Sequence, residues 1–208
     1  MRKNLFIALE GIDGSGKSTQ VKLLASILEK AGLKVYSTSE PTGGETGKLI
    51  RKELSQNDKE NHEVIAALFL ADRLEHILDK QNGLLKKLKE GYTVITDRYY
   101  FSSYAYHSVH MPLDWVIEIN KPCAQLLRPD ITIYIDVPPE ESMKRIENSR
   151  GKRELYETLD NLTRVRDKYY EAFRLIKSDE NILIVDGNNS PEQIADEIAG
   201  KVLKIKQK

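Results

Sequence analysis

The chain has 208 residues, 40% of them hydrophobic and 31% charged, which is the composition of an ordinary globular protein of about one domain. Lys plus Arg and Asp plus Glu each total 32, so the net charge is zero. A general nucleic-acid or membrane-surface binder would carry a basic excess; neither partner is expected, and any anion site must be built locally.

In chain order, the apolar run at residues 5–9 predicts a buried strand, and Val21, Leu24, Ala25 and Leu28 recur at helical spacing within residues 17–30. Gly32 reads as helix-ending punctuation before a strand at 34–38, and helices follow at 47–54, 64–80 and 84–90. Gly91 ends the last of these before a strand at 93–96, which runs into "DRYYFSSYAY". A helix at 113–127 leads to a strand at 131–137, and Pro139 suits the first turn of a helix at 139–148. The segment "NSRGKRELYE" is charged and has no apolar stripe. A helix at 159–177, a strand at 182–185 and a helix opened by Pro191, at 191–204, complete the chain.

The strands are short, mostly β-branched and not strictly alternating, as strands covered on both faces are. Strand–helix alternation therefore predicts the α/β class: a three-layer α/β/α arrangement with a five-stranded parallel sheet flanked by helices. One domain over 1–208 is expected, with a short mobile lid at about 148–157. Ligands in such folds sit beyond the carboxyl ends of the strands. Asp97 and Asp136 stand at two of those ends.

The single cysteine, Cys123, lies in an apolar stretch and reads as a buried structural thiol. No Cys/His spacing suggests a metal site. Met1-Arg2-Lys3-Asn4 runs straight into the first strand with no signal peptide, and no apolar run approaches membrane-spanning length, so a cytoplasmic location is expected.

Gly11-Ile12-Asp13-Gly14-Ser15-Gly16-Lys17-Ser18 fits G-x-x-x-x-G-K-[ST] at every fixed position, with a strand before it and a helix after. Glycines free the backbone to aim several N–H groups at phosphate oxygens. The helix N-terminus adds its positive end. Lys17 then serves the β/γ-phosphates and the Ser18 hydroxyl a Mg²⁺ ion. The motif identifies a nucleoside triphosphate site, not a reaction. A GTPase switch would show N-K-x-D after a strand, but Asn120-Lys121 is followed by Pro122-Cys123, and Asp97 opens no D-x-x-G. A kinase must bring two anionic phosphates into line, which calls for further cations. Arg98, just past a strand end, and Arg150, Lys152 and Arg153 in the charged segment are the candidates.

Together, "FIALEGIDGSGKSTQ", "SEPTGGETGKLIR", "LFLADRLEH", "DRYYFSSYAY" and "YIDVPPEES" resemble the thymidylate kinases, nucleoside monophosphate kinases that phosphorylate dTMP with ATP. The resemblance runs along nearly the whole chain and implies direct transfer to dTMP, with Mg²⁺ accompanying ATP, in a homodimer. Gly11, Ile12, Asp13, Gly14, Ser15, Gly16, Lys17, Ser18 and Thr19 would hold ATP. Phe69 would stack on thymine and Arg73, one helical turn on, would bond the base edge. Ser103 falls where the family contacts the base, and Tyr106 would lie against the deoxyribose. Arg98 would bridge the acceptor and γ-phosphates, and Arg51 is a candidate for the acceptor phosphate. Asp13 would sit beside the acceptor's sugar and phosphate. Asp97 would help hold the Mg²⁺ shell beside Ser18. Glu157 is a further candidate in the lid, and the turn at 188–191 falls in the family's adenine region. The family carries its catalytic arginine in the phosphate loop or supplies basic residues from the lid. The loop here has none, so Arg150, Lys152 and Arg153 fit the second, bacterial or archaeal arrangement, and which of them meets ATP is open. Ser39, His107 and Pro41-Thr42-Gly43-Gly44 depart from commoner family residues and bear on acceptor breadth. The alternatives are another nucleoside monophosphate or deoxynucleoside kinase, and a nucleotide-binding switch.

Overall fold

Five apolar runs become strands in the computed structural model, which describes residues 4–55, 61–149, 158–176 and 178–206. They are β1 (Phe6–Glu10), β2 (Val35–Ser39), β3 (Thr93–Asp97), β4 (Ile131–Asp136) and β5 (Ile182–Asp186). All pair in parallel, in the order β2-β3-β1-β4-β5. The helices are α1 (Lys17–Lys30), α2 (Glu45–Leu54), α3 (His62–Leu78), α4 (Leu84–Lys89), α5 (Tyr100–His107), α6 (Leu113–Leu126), α7 (Pro139–Ser149), α8 (Leu159–Ile176) and α9 (Pro191–Lys206). The expected α/β class and five-stranded parallel sheet are present.

β1 is buried at all five positions, which is why its sequence shows no polar alternation. Its side chains divide between two cores by the period of two. Ile7 and Leu9 join Val21, Leu24 and Leu28 of α1 and Ile194, Ile198 and Val202 of α9. Phe6 and Ala8 face the other layer, with Tyr100, Phe101 and Tyr104 of α5, Val116 and Cys123 of α6, and Tyr169 and Phe173 of α8. Cys123 is fully buried, as a structural thiol should be.

Two differences from the sequence reading have physical causes. All eight residues of α5 are buried, so the helix has no polar face and no 3.6-residue period to betray it. α3 ends at Leu78, not at 80, because the Asp79 carboxylate accepts the backbone N–H groups of Gln81 and Asn82 and turns the chain out of the helix.

The chain leaves β1 toward β2 on one side, and leaves β3 toward β4 on the other side of β1. The crevice at the carboxyl ends of β1 and β3 is therefore the switch point where such sheets bind ligands. Four strands finish there in an acid: Glu10, Asp97, Asp136 and Asp186.

Candidate active site

The phosphate loop joins β1 to α1 across this crevice. Gly11 has φ 152°, and a Cβ there would stand 2.5 Å from Ser15 Oγ and 2.9 Å from the Ile135 carbonyl oxygen. Gly14 has φ 78°, and a Cβ would meet the Ser142 carbonyl oxygen at 2.5 Å. Both positions thus require glycine for space as well as for backbone conformation. Ile12 is fully buried in the core and Ser15 is buried beneath the loop, so these two residues offer a ligand their backbone alone. α1 has no acid in its first turn and no side-chain cap, which leaves its positive end for an anion.

Lys17 is buried, with Nζ donating to the carbonyl oxygens of Gly11 at 3.1 Å and Ile12 at 2.9 Å. Burial, then the charge of Arg98, lowers its ammonium from 10.5 to about 8. Ser18 Oγ donates to Asp97 Oδ2 at 2.6 Å, bringing together two oxygen ligands of the kind that suit Mg²⁺. Thr19 is exposed beside them.

Arg98 follows β3 directly and has φ 72°, a conformation that costs a side-chain-bearing residue about 1–2 kcal/mol. Its backbone is held on both sides: its N–H donates to the Leu9 carbonyl at 2.9 Å, and its carbonyl accepts from Thr96 Oγ1 at 2.9 Å. The guanidinium is aimed over the loop. Nη1 donates to Ser102 Oγ at 3.0 Å and the Gly11 carbonyl at 3.3 Å; Nη2 donates to Asp13 Oδ1 and to Tyr106 Oη. Tyr106 Oη donates in turn to Asp13 Oδ2 at 2.8 Å. Burial raises the Asp13 carboxyl, but Arg98 and Lys17 more than offset it and hold the group below its usual range. Arg98, Asp13, Tyr106, Lys17, Ser18 and Asp97 thus gather at one end of the sheet, as the sequence predicts.

The neighbouring part of the crevice lies between α3, α5 and the turn after β2. Phe69 is half-buried, its ring 5.2 Å from that of His107. Burial, then Arg73, lowers the His107 imidazole to about 3, so the ring is neutral. Arg73 is 1% exposed. Its donors go to Glu40 Oε2 at 2.8 Å, Ser103 Oγ at 2.9 Å, Asn120 Oδ1 at 2.6 Å and the Tyr99 carbonyl at 3.1 Å. Arg51 is exposed and grips the turn after β2 through the carbonyls of Pro41 at 2.5 Å and Thr42 at 2.6 Å. From the other side Asp72 accepts from the Thr42 N–H at 2.8 Å and hydroxyl at 2.6 Å.

The turn at 188–191 reaches the phosphate-loop helix through Gln20 Nε2, which donates to the Pro191 carbonyl at 2.8 Å. Ser190 and Gln193 cap the start of α9 reciprocally. Arg150, Lys152, Arg153 and Glu157 lie outside the described residues, as does most of the expected lid.

The sequence marks Glu10 and Glu40 only as parts of motifs and gives no sign of a role for Asp72, Asn120 or Tyr169. A signal for Glu10 is available, since it is an acid at the end of an otherwise apolar strand. The others have no local signal, since their partners are remote in sequence.

Residues 9–198 match the family model described as "Thymidylate kinase". The chain is 40% identical over 208 residues to a probable thymidylate kinase of Thermococcus gammatolerans, an alignment covering 95% of each. It is 41% identical over 207 residues to one of Methanococcus aeolicus, covering 98% of each. It is 37% identical over 195 residues to one of Pyrobaculum calidifontis, covering 93% of each. Among the described residues, no helix is long and apolar enough to cross a membrane.

Proposed function

The chain belongs to the thymidylate kinase family, and we propose that it carries out the family's reaction, transfer of the γ-phosphoryl group of ATP to dTMP, in the crevice between β1 and β3. The observation that carries this reading is the convergence of Lys17 and Arg98 on one phosphate loop whose helix end is free of acidic caps. ATP phosphates bind the loop N–H groups from Gly11 to Thr19, with Lys17 leaving its two carbonyls for the β/γ-phosphates. The oxygens of Ser18 and Asp97 fit a Mg²⁺ ion and would hold it beside the triphosphate. When bound, that ion would supply neutralisation of phosphate charge.

The acceptor occupies the neighbouring pocket. Phe69 offers a ring face to thymine, and Arg73 with Ser103 forms the polar wall at the base edge. Tyr106 packs the deoxyribose, and Arg51 stands near the acceptor phosphate. Arg98 spans the two phosphates, with Asp13 orienting it. An acceptor phosphate oxygen is already anionic, so the reaction needs alignment and charge neutralisation more than a strong base. Basic groups of the lid, from among Arg150, Lys152 and Arg153, complete the neutralisation.

We assign the chain one domain with its lid at about 148–157, a homodimeric state and a cytoplasmic location. The exposed Val64 of α3 and Trp115 and Leu126 of α6, two helices packed together, support a partner copy. A single, buried cysteine suits a reducing compartment.

The test is ADP release from ATP·Mg²⁺ with dTMP, dUMP, dCMP, UMP, AMP, GMP and thymidine. Strong stimulation by dTMP over the purine nucleotides and thymidine is expected. Slow hydrolysis indifferent to every acceptor would overturn the reading.

A further inference from the structure

Two helices, α1 and α5, start at the carboxyl edge of the sheet beside Arg98, and neither has an acid in its first turn. At the α5 end a carboxylate is already in place. Glu10, the last residue of β1, is fully buried, and its Oε1 accepts the backbone N–H of Tyr99 at 2.8 Å and of Ser102 at 3.2 Å. Its Oε2 accepts the Ser102 hydroxyl at 2.5 Å and the Tyr169 hydroxyl at 2.9 Å. We propose that Glu10 is a positioning residue for phosphoryl transfer, aiming the Arg98 guanidinium through Ser102.

The argument is one of proton direction. An ionised carboxylate only accepts, so both hydroxyls that reach Glu10 must turn their protons toward it. Ser102 has a single hydroxyl proton, and giving it to Glu10 leaves the oxygen lone pairs facing Arg98 Nη1, 3.0 Å away. Glu10 thereby makes Ser102 an obligatory acceptor for Arg98. The Tyr169 hydroxyl, 2.9 Å from Ser102 Oγ, is held in the same sense. The carboxylate also adds a negative charge that interacts with Arg98. Burial raises the Glu10 carboxyl above its usual range, the contacts from Ser102, Arg98, Tyr169 and Tyr99 offset only part of that rise, and the four donors that converge on its two oxygens are what make it an acceptor. An amide in its place would present its own N–H to Ser102 or Tyr169. It would take up a lone pair of one of these hydroxyls and leave the Ser102 proton without its acceptor, so that the direction of the Ser102 hydroxyl is no longer fixed.

This inference rests on the reading of Arg98 as the group spanning the phosphates, so the experiment separates the two. Glu10→Gln, Ser102→Ala, their double variant and Arg98→Ala are compared in steady-state kinetics with ATP and dTMP, alongside thermal unfolding. A misaimed cation lowers kcat without loosening ATP. Glu10→Gln and Ser102→Ala should each lose about 10- to 100-fold in kcat with ATP KM within about 3-fold. The double variant should be no worse than the poorer single one, because both act through one path. Near-normal kcat per folded molecule in both single variants, or losses that multiply in the double, would overturn the proposal. If Glu10→Gln does not fold, Ser102→Ala decides by the same criteria. Near-normal kcat in Arg98→Ala would instead overturn the reading of Arg98 itself.

Discussion

Ser18 Oγ and Asp97 Oδ2 lie 2.6 Å apart although 79 residues separate them in the chain. The contact joins the first turn of α1 to the end of β3, and it stands where a metal ion beside the triphosphate would need oxygen ligands. Ser18→Ala and Asp97→Asn should each raise the Mg²⁺ concentration for half-maximal activity by about 10- to 100-fold. A Mg²⁺ titration of the kinase rate at saturating nucleotide measures this; an unchanged midpoint in both variants would remove these residues from the metal site.

Lys17 makes ATP binding sensitive to pH. Its folded value of about 8 lies below the 10.5 of a free lysine, with burial the first cause. Bound phosphate favours the charged form and raises the value again. Binding at pH 8 should therefore take up about half a proton, and affinity should weaken as pH rises above 8. The sign for stability is opposite: between about 8 and 10.5 the unfolded chain binds more protons here, so this group makes the ligand-free protein more stable as pH rises. Calorimetry of ATP binding in two buffers of different ionisation enthalpy reads the uptake, and none at pH 8 would contradict it.

Phe69→Ala should separate the two substrates. Stacking on a base contributes about 1–3 kcal/mol, so Phe69→Ala should raise the dTMP KM by about 10-fold or more. The ATP KM should stay within about 2-fold if the ring serves the proposed acceptor pocket. Equal rises for both substrates would argue that the ring only packs.

Glu40 and Arg73 are each about 1% exposed and paired at 2.8 Å. Removing one charge leaves the other buried without its partner. Glu40→Gln should cost about 3–5 kcal/mol and lower the unfolding midpoint by roughly 10 °C. The exposed pair Lys48–Glu45 offers a control, where Glu45→Ala should change stability by less than about 0.5 kcal/mol. Calorimetric melts of both variants test the contrast; similar midpoints would mean that Arg73 is held by Ser103 and Asn120 without Glu40.

Much of this arrangement is legible in the sequence where chemistry and local backbone coincide. The phosphate loop is read from Gly11 to Ser18 because its requirements are met by adjacent residues. Strand-end acids such as Asp97 stand out against apolar runs. α5 escapes because burial on every side erases its periodicity. The surroundings of Arg73 escape for another reason: Ser103, Glu40 and Asn120 lie 30, 33 and 47 residues away, and only the packing of α5, β2 and α6 brings them together. Glu10 is visible as an acid, but its hold on α5 depends on a helix the sequence does not announce.

The acids along the carboxyl rim also bear on the order in which ligands arrive. Asp13 is engaged by Arg98 and Tyr106, Asp97 by Ser18, Asp136 by Arg166 and Tyr170, and Asp186 by Asn188. A divalent cation arriving alone would compete with these contacts for the same carboxylates. A cation already carried on a triphosphate brings most of its own oxygens and needs little from the protein. On the proposed reading the rim therefore favours the metal as a passenger of the nucleotide.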